Sequence, residues 1–172
     1  MVDLHQLKFH PFRCDIRAIL GRIQMKPFIL SLVFTAAAGI AGSAAAAEDW
    51  NVFSRSARTV YLADVGGIST LGDDTTIRIA RVPIEGAAGD YSHTQEDIAL
   101  RCAAKQSRVV LELEYGPDGA EIDRIENATA EWEDIAPNSL TSYIQTIACD
   151  GARGQGRNAA SVKIFIDSGR GR

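Results

Sequence analysis

His93 is the first residue to consider for catalysis, because it stands between Ser92 and Thr94 and is the only histidine after residue 47. A serine hydrolase needs a serine, a histidine and an acid held together, and in many such enzymes a Gly-x-Ser-x-Gly turn presents the serine. No such turn surrounds Ser92. We therefore interpret His93 as an ordinary loop histidine, and a small hydrolase that uses it is the weakest function hypothesis. The sequence predicts no catalytic residue and no enzyme activity.

Three acidic clusters have residue types that could bind a sugar or a cation. They are Glu131, Glu133 and Asp134 beside Trp132, then Asp73-Asp74, and then Asp118-Gly119. The first is typical of a solvated strand end, and the other two have the composition of turns. None lies in the D-x-D-x-D-G spacing of a calcium loop. The sequence therefore predicts neither a metal site nor a cofactor.

Gly154-Gln155-Gly156, with Ala159 after it, imitates a dinucleotide-binding fingerprint. The fingerprint binds a pyrophosphate only when it follows a strand and opens a helix. Here it follows a predicted helix, so we interpret it as a flexible, basic linker.

Removal of the first 47 residues would also remove Cys14, and two cysteines, Cys102 and Cys149, would remain. Export places a chain in an oxidising compartment, where two such cysteines form a disulfide. The alternatives are two buried free thiols or a metal pair, and the metal pair lacks other soft ligands. A disulfide between Cys102 and Cys149 is the prediction.

The N-terminal region predicts export. Met25-Lys26-Pro27 precedes the apolar residues 28–40, and small residues follow up to Ala47, which is the pattern of a secretory signal peptide. Residues 1–24 are either a long leader start or a start codon assigned too early. We expect cleavage after Ala47 and a soluble mature protein in the periplasm, at the cell surface or outside the cell. An uncleaved membrane anchor is the alternative.

The charge of the predicted mature chain is uneven. Residues 48–150 contain 19 acidic and 8 basic side chains, whereas residues 151–172 contain 1 acidic and 5 basic ones. The acidic part excludes a nucleic-acid partner over most of the surface. The basic extension could instead meet an anionic envelope surface, such as lipid head groups.

Strand patterns dominate residues 59–132. A strand ends at Gly66-Gly67, a turn occupies residues 71–74, and the next strand, 75–82, has a phase slip after Ala80 that indicates a bulge or an end at Pro83. Apolar and polar side chains alternate most clearly in residues 107–115, which predicts a strand. We interpret residues 120–133 as a further strand. One amphipathic helix, residues 138–149, follows, with Asn138 or Ser139 as its N-cap and Gly151 as its terminator.

The order of these features resembles the surface-adhesin protein E family of small exported bacterial proteins. The resemblance covers residues 50–150 and rests on residues that share an order with the family: Cys102, Tyr115, Gly119, Trp132, Pro137, Ser139 and Cys149. It implies an α+β fold, in which a curved antiparallel sheet of about six strands carries the C-terminal helix, disulfide-tied to its concave face. This chain lacks the lipobox cysteine of a lipoprotein, and its basic extension goes beyond the family pattern.

The resemblance implies a non-enzymatic binding or structural module of the cell envelope. Its partner would be a protein, either a host matrix component or an envelope component, and a homodimer is a further alternative. The expected ligand or partner face contains Tyr143, Ile147, Trp132 and Tyr115. The alternative is a periplasmic carrier of a small apolar ligand held between helix and sheet.

The last segment, residues 162–166, is either one more strand or part of a disordered tail. If it pairs with a sheet edge, we expect Phe165 to be buried and the arginines of the extension to meet Glu131, Glu133 and Asp134. If it does not, the extension is a mobile basic arm. The domain boundaries predicted from sequence are therefore 1–47, 48–150 and 151–172.

Overall fold

The computed structural model describes residues 47–171. In chain order these form β1 (Trp50–Arg55), β2 (Thr59–Leu71), β3 (Asp74–Pro83), β4 (His93–Arg101), β5 (Gln106–Tyr115), β6 (Glu121–Glu126), β7 (Glu133–Asp134), α1 (Leu140–Asp150), β8 (Asn158–Ala159) and α2 (Val162–Asp167). Apart from Ala47, the predicted signal peptide lies outside the described residues. Within residues 47–171, no helix is long and apolar enough to span a bilayer.

All strands join one antiparallel sheet with the order β6-β5-β4-β3-β2-β1-β8, and β7 pairs with β5 beyond the end of β6. Five successive antiparallel pairings join β1 to β6, as expected when strand patterns alternate with short turns. Gly72 and Gly119 adopt positive φ in two of these turns, where glycine is favoured. The predicted α+β class with an antiparallel sheet is confirmed. The described sheet has eight strands rather than about six, and a second helix is present.

β2 does not end at Gly66-Gly67, so that expectation is wrong. The strand continues to Leu71, and its register with β3 shifts between Asp64 and Ser69. The Asp64 carboxylate accepts hydrogen bonds from the backbone N–H groups of Gly66 and Gly67, each at 3.2 Å. A Cβ on Gly67 would lie 2.5 Å from Asp64 Oδ2. The glycines therefore allow an irregular stretch within one strand instead of ending it.

The sheet has a hydrophobic cluster on each face. Neighbouring residues of a strand point to opposite faces, and Leu62 and Ala63 accordingly belong to different clusters. We call the face with Ala63, Ile77 and Ile79 the α1 face, because α1 packs on it. The face with Leu62, Ala80 and Val82 is the α2 face, because α2 packs there.

This two-sided core explains the phase slip in β3. The pairing of β3 with β2 and β4 runs without a shift from Ile79 through Arg81, so no bulge is present and the strand ends at Pro83. The buried side changes after Ile79 because the covering helix changes, from α1 on one face to α2 on the other.

α1 forms as predicted. Ser139 is the N-cap, and its Oγ accepts a hydrogen bond from the backbone N–H of Ser142 at 3.1 Å. Gly151 ends the helix in the left-handed conformation, with φ of 72°. At this end Cys149 forms the predicted disulfide with Cys102, with 5.8 Å between the Cα atoms. The disulfide ties the end of α1 to the chain directly after β4.

Residues 162–167 form neither a strand nor a free tail but the short helix α2. Ser161 Oγ caps it by accepting the backbone N–H of Ile164 at 3.1 Å. Val162, Phe165 and Ile166 are buried on the α2 face, at the i, i+3, i+4 spacing of one helical side. The expected burial of Phe165 is confirmed, although by a different element.

The expectation that the arginines of the extension meet Glu131, Glu133 and Asp134 is wrong. Arg170 is only 2% exposed, and its guanidinium donates to the carbonyl of Pro83 at 2.9 Å and to the carbonyl of Asp90. These carbonyls belong to the end of β3 and the loop that follows it. Arg170 therefore fastens the C-terminal segment to the main chain of the domain.

Residues 120–133 do not form one continuous strand. β6 ends at Glu126, a loop follows, and the two-residue β7 then pairs with Gln106 and Ser107. Every residue of β6 is exposed, and four of the six are charged. Charges on an exposed edge strand discourage pairing with another chain.

Candidate functional site

The α1 face continues as open surface beside α1. α1 packs mainly against β2 and β3, and the face then extends across β4, β5 and β6. We call this extension the open face. Its side chains are Arg81, Thr94, Glu96, Glu112, Glu114, Asp123 and Ile125.

The strand register places these side chains in two rows. In the first row, Arg81 pairs with Thr94, Thr94 with Glu114, and Glu114 with Asp123. Residues directly opposite each other in an antiparallel pair share a face, so the row crosses four strands on one surface.

In the second row, Ile79 pairs with Glu96, Glu96 with Glu112, and Glu112 with Ile125. Ile79 belongs to the core beneath α1, which assigns both rows to the α1 face. Apart from Glu96 and Ile79, the row is exposed. The row therefore runs from the core out to solvent.

Three depressions meet at Arg81, with volumes of about 440, 200 and 320 Å³. The first contains Tyr61, His93 and Tyr115, and the second is formed by the acidic side chains of the open face. The third lies between the sheet and the first turn of α1, where Leu140 and Ile144 line it. Together they form a shallow polar surface around one arginine.

The open face is strongly acidic. Arg81 Nη2 lies 2.8 Å from Glu96 Oε2 and forms an ion pair with it. Burial raises the pKa of the Glu96 carboxyl, while Arg81 lowers it and the nearby Glu112 raises it further. Glu112, Glu114 and Asp123 stand exposed around this pair. Their uncompensated negative charge favours a cationic partner.

His93 does not have the geometry of a catalytic base. Its Nδ1 lies 2.7 Å from the Tyr91 carbonyl, so Nδ1 carries the proton, and Nε2 then accepts from Gln95 Nε2 at 3.0 Å. Burial lowers the pKa of the imidazole, the Tyr91 carbonyl raises it, and Arg170 lowers it. Both ring nitrogens are thus used, and neither is directed at a serine hydroxyl.

Tyr115, predicted for the partner face, stacks on His93 with 4.4 Å between the ring centroids. Trp132 lies elsewhere, in contact with the guanidinium groups of Arg101 and Arg108, at 4.1 and 4.5 Å from its ring centroid. Such cation–π contacts hold the loop between β6 and β7 on the sheet. Trp132 therefore has an evident structural role.

The two predicted helix residues separate as well. Ile147 is 3% exposed and packs in the core beneath α1, whereas Tyr143 is 59% exposed and points away from it. Tyr143 lines a depression of about 340 Å³ with Lys105 and Ile135. The structure thus does not bring the four predicted residues together in one surface.

The acidic turns have structural partners. Asp74 forms an ion pair with Arg101 at 3.2 Å, and the Asp118 carboxylate accepts the backbone N–H of Ala120 at 2.9 Å. Glu131 and Glu133 line the depression beside α1. Among residues 47–171, no group of three or more histidine, cysteine or acidic side chains is arranged to bind a metal.

The Gly154-x-Gly156 segment packs against β1. Gly154 N donates to Asn51 Oδ1 at 2.7 Å, and a Cβ on Gly154 would lie 2.0 Å from the Val52 carbonyl oxygen. Glycine is therefore required here for close approach to the strand. This contact gives the motif a structural role.

The acidic rows of the open face were missed in the sequence, although a signal for them exists. Glu112 and Glu114 alternate with buried Leu113, which predicts two acids on one face of β5. Their register with Glu96 and Asp123 depends on the hairpins and on the shift between Asp97 and Ile98. Comparison of the chain with protein-family models, curated proteins and solved structures finds no match.

Proposed function

We propose that this protein is an exported, non-enzymatic binding module of the bacterial cell envelope, similar to surface-adhesin protein E, and that it binds a protein partner. The observation that carries the proposal is the open face, where Glu112, Glu114 and Asp123 stand exposed on β5 and β6 beside α1. The partner is a basic segment of a host matrix or envelope protein. As part of this proposal, the sheet is curved and α1 lies on its concave face.

The disulfide supports the assignment to an exported compartment. Cys102 and Cys149 close a loop with a sequence separation of 47, and such bonds persist in oxidising surroundings. We infer cleavage after Ala47 and a soluble protein in the periplasm or at the cell surface. Sequencing the N-terminus of the exported protein tests this, and a terminus at Met25 or earlier would contradict it.

The packing of α1 favours a surface site over a carrier of a small apolar ligand. Ile144 and Ile147 are buried against Ile77, Ile79 and Leu100, so side chains fill the space between helix and sheet. A ligand in that space would have to displace them. The depressions around Arg81 are shallow and polar, which suits a protein surface.

The expected binding has an electrostatic character. Exposed ion pairs contribute only about 0–1 kcal/mol each, so the acids alone give modest affinity. Their larger effects are on association rate and on specificity for a basic partner. Binding should therefore weaken as salt screens the open face.

The test compares two double variants with the same change in charge. Glu114→Gln with Asp123→Asn neutralises two of the three exposed acids of the open face. Glu85→Gln with Glu126→Gln instead neutralises exposed acids of a loop and of the other side of β6. Binding to immobilised envelope and matrix proteins is measured at low salt and at about 0.15 M salt.

We expect the open-face variant to bind at least about fivefold more weakly and the control variant to bind as the wild type does. Equal binding by both variants would overturn the proposal. Native mass spectrometry of the protein from its own envelope gives a second readout. A bound uncharged apolar molecule would favour the carrier, and a mass of two chains would favour the homodimer.

A further inference from the structure

A second concavity lies at the other edge of the sheet, between β1, the chain that leads into β8, and α2. We call it the C-terminal groove. Its volume is about 570 Å³, which is within the range of small-molecule sites. The lining residues used below are Val52, Arg55, Arg157, Ala159, Ile164 and Phe165.

The charged side chains that line the C-terminal groove are both arginines. Arg55 Nη2 donates to the Gly171 carbonyl at 2.7 Å, which fixes the guanidinium and leaves its other nitrogens for a further acceptor. Arg157 is exposed. Asp167, the acid of α2, does not line the groove. It forms an ion pair with Lys163, with 3.2 Å between Oδ2 and Nζ. The groove is therefore cationic on a domain that is acidic elsewhere.

The rest of the C-terminal groove is largely apolar. Ile164 is 53% exposed, although α2 buries its neighbour Phe165 in the core. Val52 and Ala159, both partly buried, extend this apolar wall. An exposed isoleucine beside two cations suits a ligand with an apolar chain and an anionic head.

We propose that the C-terminal groove binds a single-chain amphiphile with a carboxylate head, of the fatty-acid class. Arginine guanidinium groups bind carboxylates through paired, charge-assisted hydrogen bonds. Arg55 already donates one of its nitrogens to the main chain, so the two arginines have donors left for a head with few acceptor oxygens, such as a carboxylate. The acyl chain lies along Val52, Ala159 and Ile164.

A peptide strand is a poorer occupant, because the edge of β1 is already covered. β8 pairs with Trp50 and Asn51, and the chain at Gly154 and Gly156 lies directly on Val52. Little main chain of β1 is left to pair with an added strand. This site is independent of the proposed protein-binding face on β4, β5 and β6.

The experiment titrates the full chain with dodecanoate, kept below its micelle concentration, by isothermal calorimetry. Dodecyltrimethylammonium has the same chain with the opposite charge, and dodecyl phosphate tests a doubly charged head. Arg157→Gln removes one head-group contact, and Ile164→Asn makes the exposed part of the apolar wall polar. Both side chains are exposed, so neither change disturbs the core. Arg153→Gln is the matched control, because Arg153 is exposed on the same linker but does not line the groove.

We expect Arg157→Gln and Ile164→Asn each to weaken dodecanoate binding about fivefold or more, and Arg153→Gln to leave it unchanged. The quaternary ammonium compound should not bind the groove. If dodecanoate bound to the apolar N-terminal residues instead of the groove, these substitutions would not change its affinity. Equal affinity in all variants, or no binding by the wild type, would overturn the proposal. Tighter binding of dodecyl phosphate, or of anionic phospholipid vesicles, would overturn the carboxylate assignment in favour of a lipid head group.

Discussion

Replacing Phe165 by alanine tests how strongly α2 is joined to the sheet. Phe165 is 4% exposed and packs in the core cluster with Trp50, Val60, Leu62 and other residues of the α2 face. Removing a buried phenylalanine ring typically costs about 3–5 kcal/mol, through lost burial and the cavity left behind. A six-residue helix is not stable alone, so its order depends on this burial.

Urea unfolding of the wild type and of Phe165→Ala gives the free-energy difference directly. Ile164→Ala is the matched control, because it lies on the same helix but is 53% exposed, and it should lower stability by no more than about 0.5 kcal/mol. We expect Phe165→Ala to lower the melting temperature by roughly 10–20 °C. A loss below about 1 kcal/mol, or equal losses in both variants, would refute the docking of α2.

Three further predictions concern stability. Replacing both Cys102 and Cys149 by alanine should lower the free energy of unfolding by about 4 kcal/mol, the chain-entropy value for a loop of this length. Thermal unfolding measures this, and labelling of the Cys102 or Cys149 thiol in the oxidised wild type would contradict the bond itself. Burial lowers the pKa of His93, so the folded state favours neutral imidazole. The neutral His93 imidazole contributes to the free energy of unfolding above its ordinary pKa of 6.5, and this contribution is lost as the pH falls through the lowered pKa. Between about pH 7 and pH 5 the wild type should therefore lose more stability than His93→Gln, and parallel pH profiles would contradict this. Arg170→Met leaves two main-chain carbonyls without their donor and should cost about 2–4 kcal/mol, whereas Arg153→Met on the exposed linker should leave the unfolding midpoint unchanged.

The local features of the chain could be predicted because local chemistry decides them. α1 has a serine N-cap, an apolar stripe and a terminating glycine, and all three signals lie within the helix or next to it. Apolar and polar side chains alternate along β5, and Cys149 was the expected partner of Cys102 because Cys14 lies in the predicted signal peptide. The antiparallel sheet follows from short turns between such strands.

Where the sequence pattern of a segment is weak, tertiary packing decides whether the segment forms a helix or a strand. Residues 162–166 are too short and too uniformly apolar for strand and helix to be separated by pattern alone. The helix is favoured because Ser161 caps it and because Val162, Phe165 and Ile166 then share one buried side. The same packing accounts for the phase slip after Ala80, since a sheet covered on both faces buries both sets of side chains while β3 continues to its end at Pro83.

The acidic open face and the C-terminal groove are also products of tertiary structure. Glu96, Glu112 and Asp123 come from three separate strands, and only the hairpin register places them on one surface. Arg55 and Arg157 are distant in sequence and meet because β8 and α2 return to the edge at β1. Neighbouring residues set α1 and β5, so these elements could be predicted from local pattern, and the cysteine pairing could be predicted because only two cysteines follow the predicted signal peptide. Which side chains share a surface depends instead on strand register and helix docking, because these bring together residues that no local pattern relates.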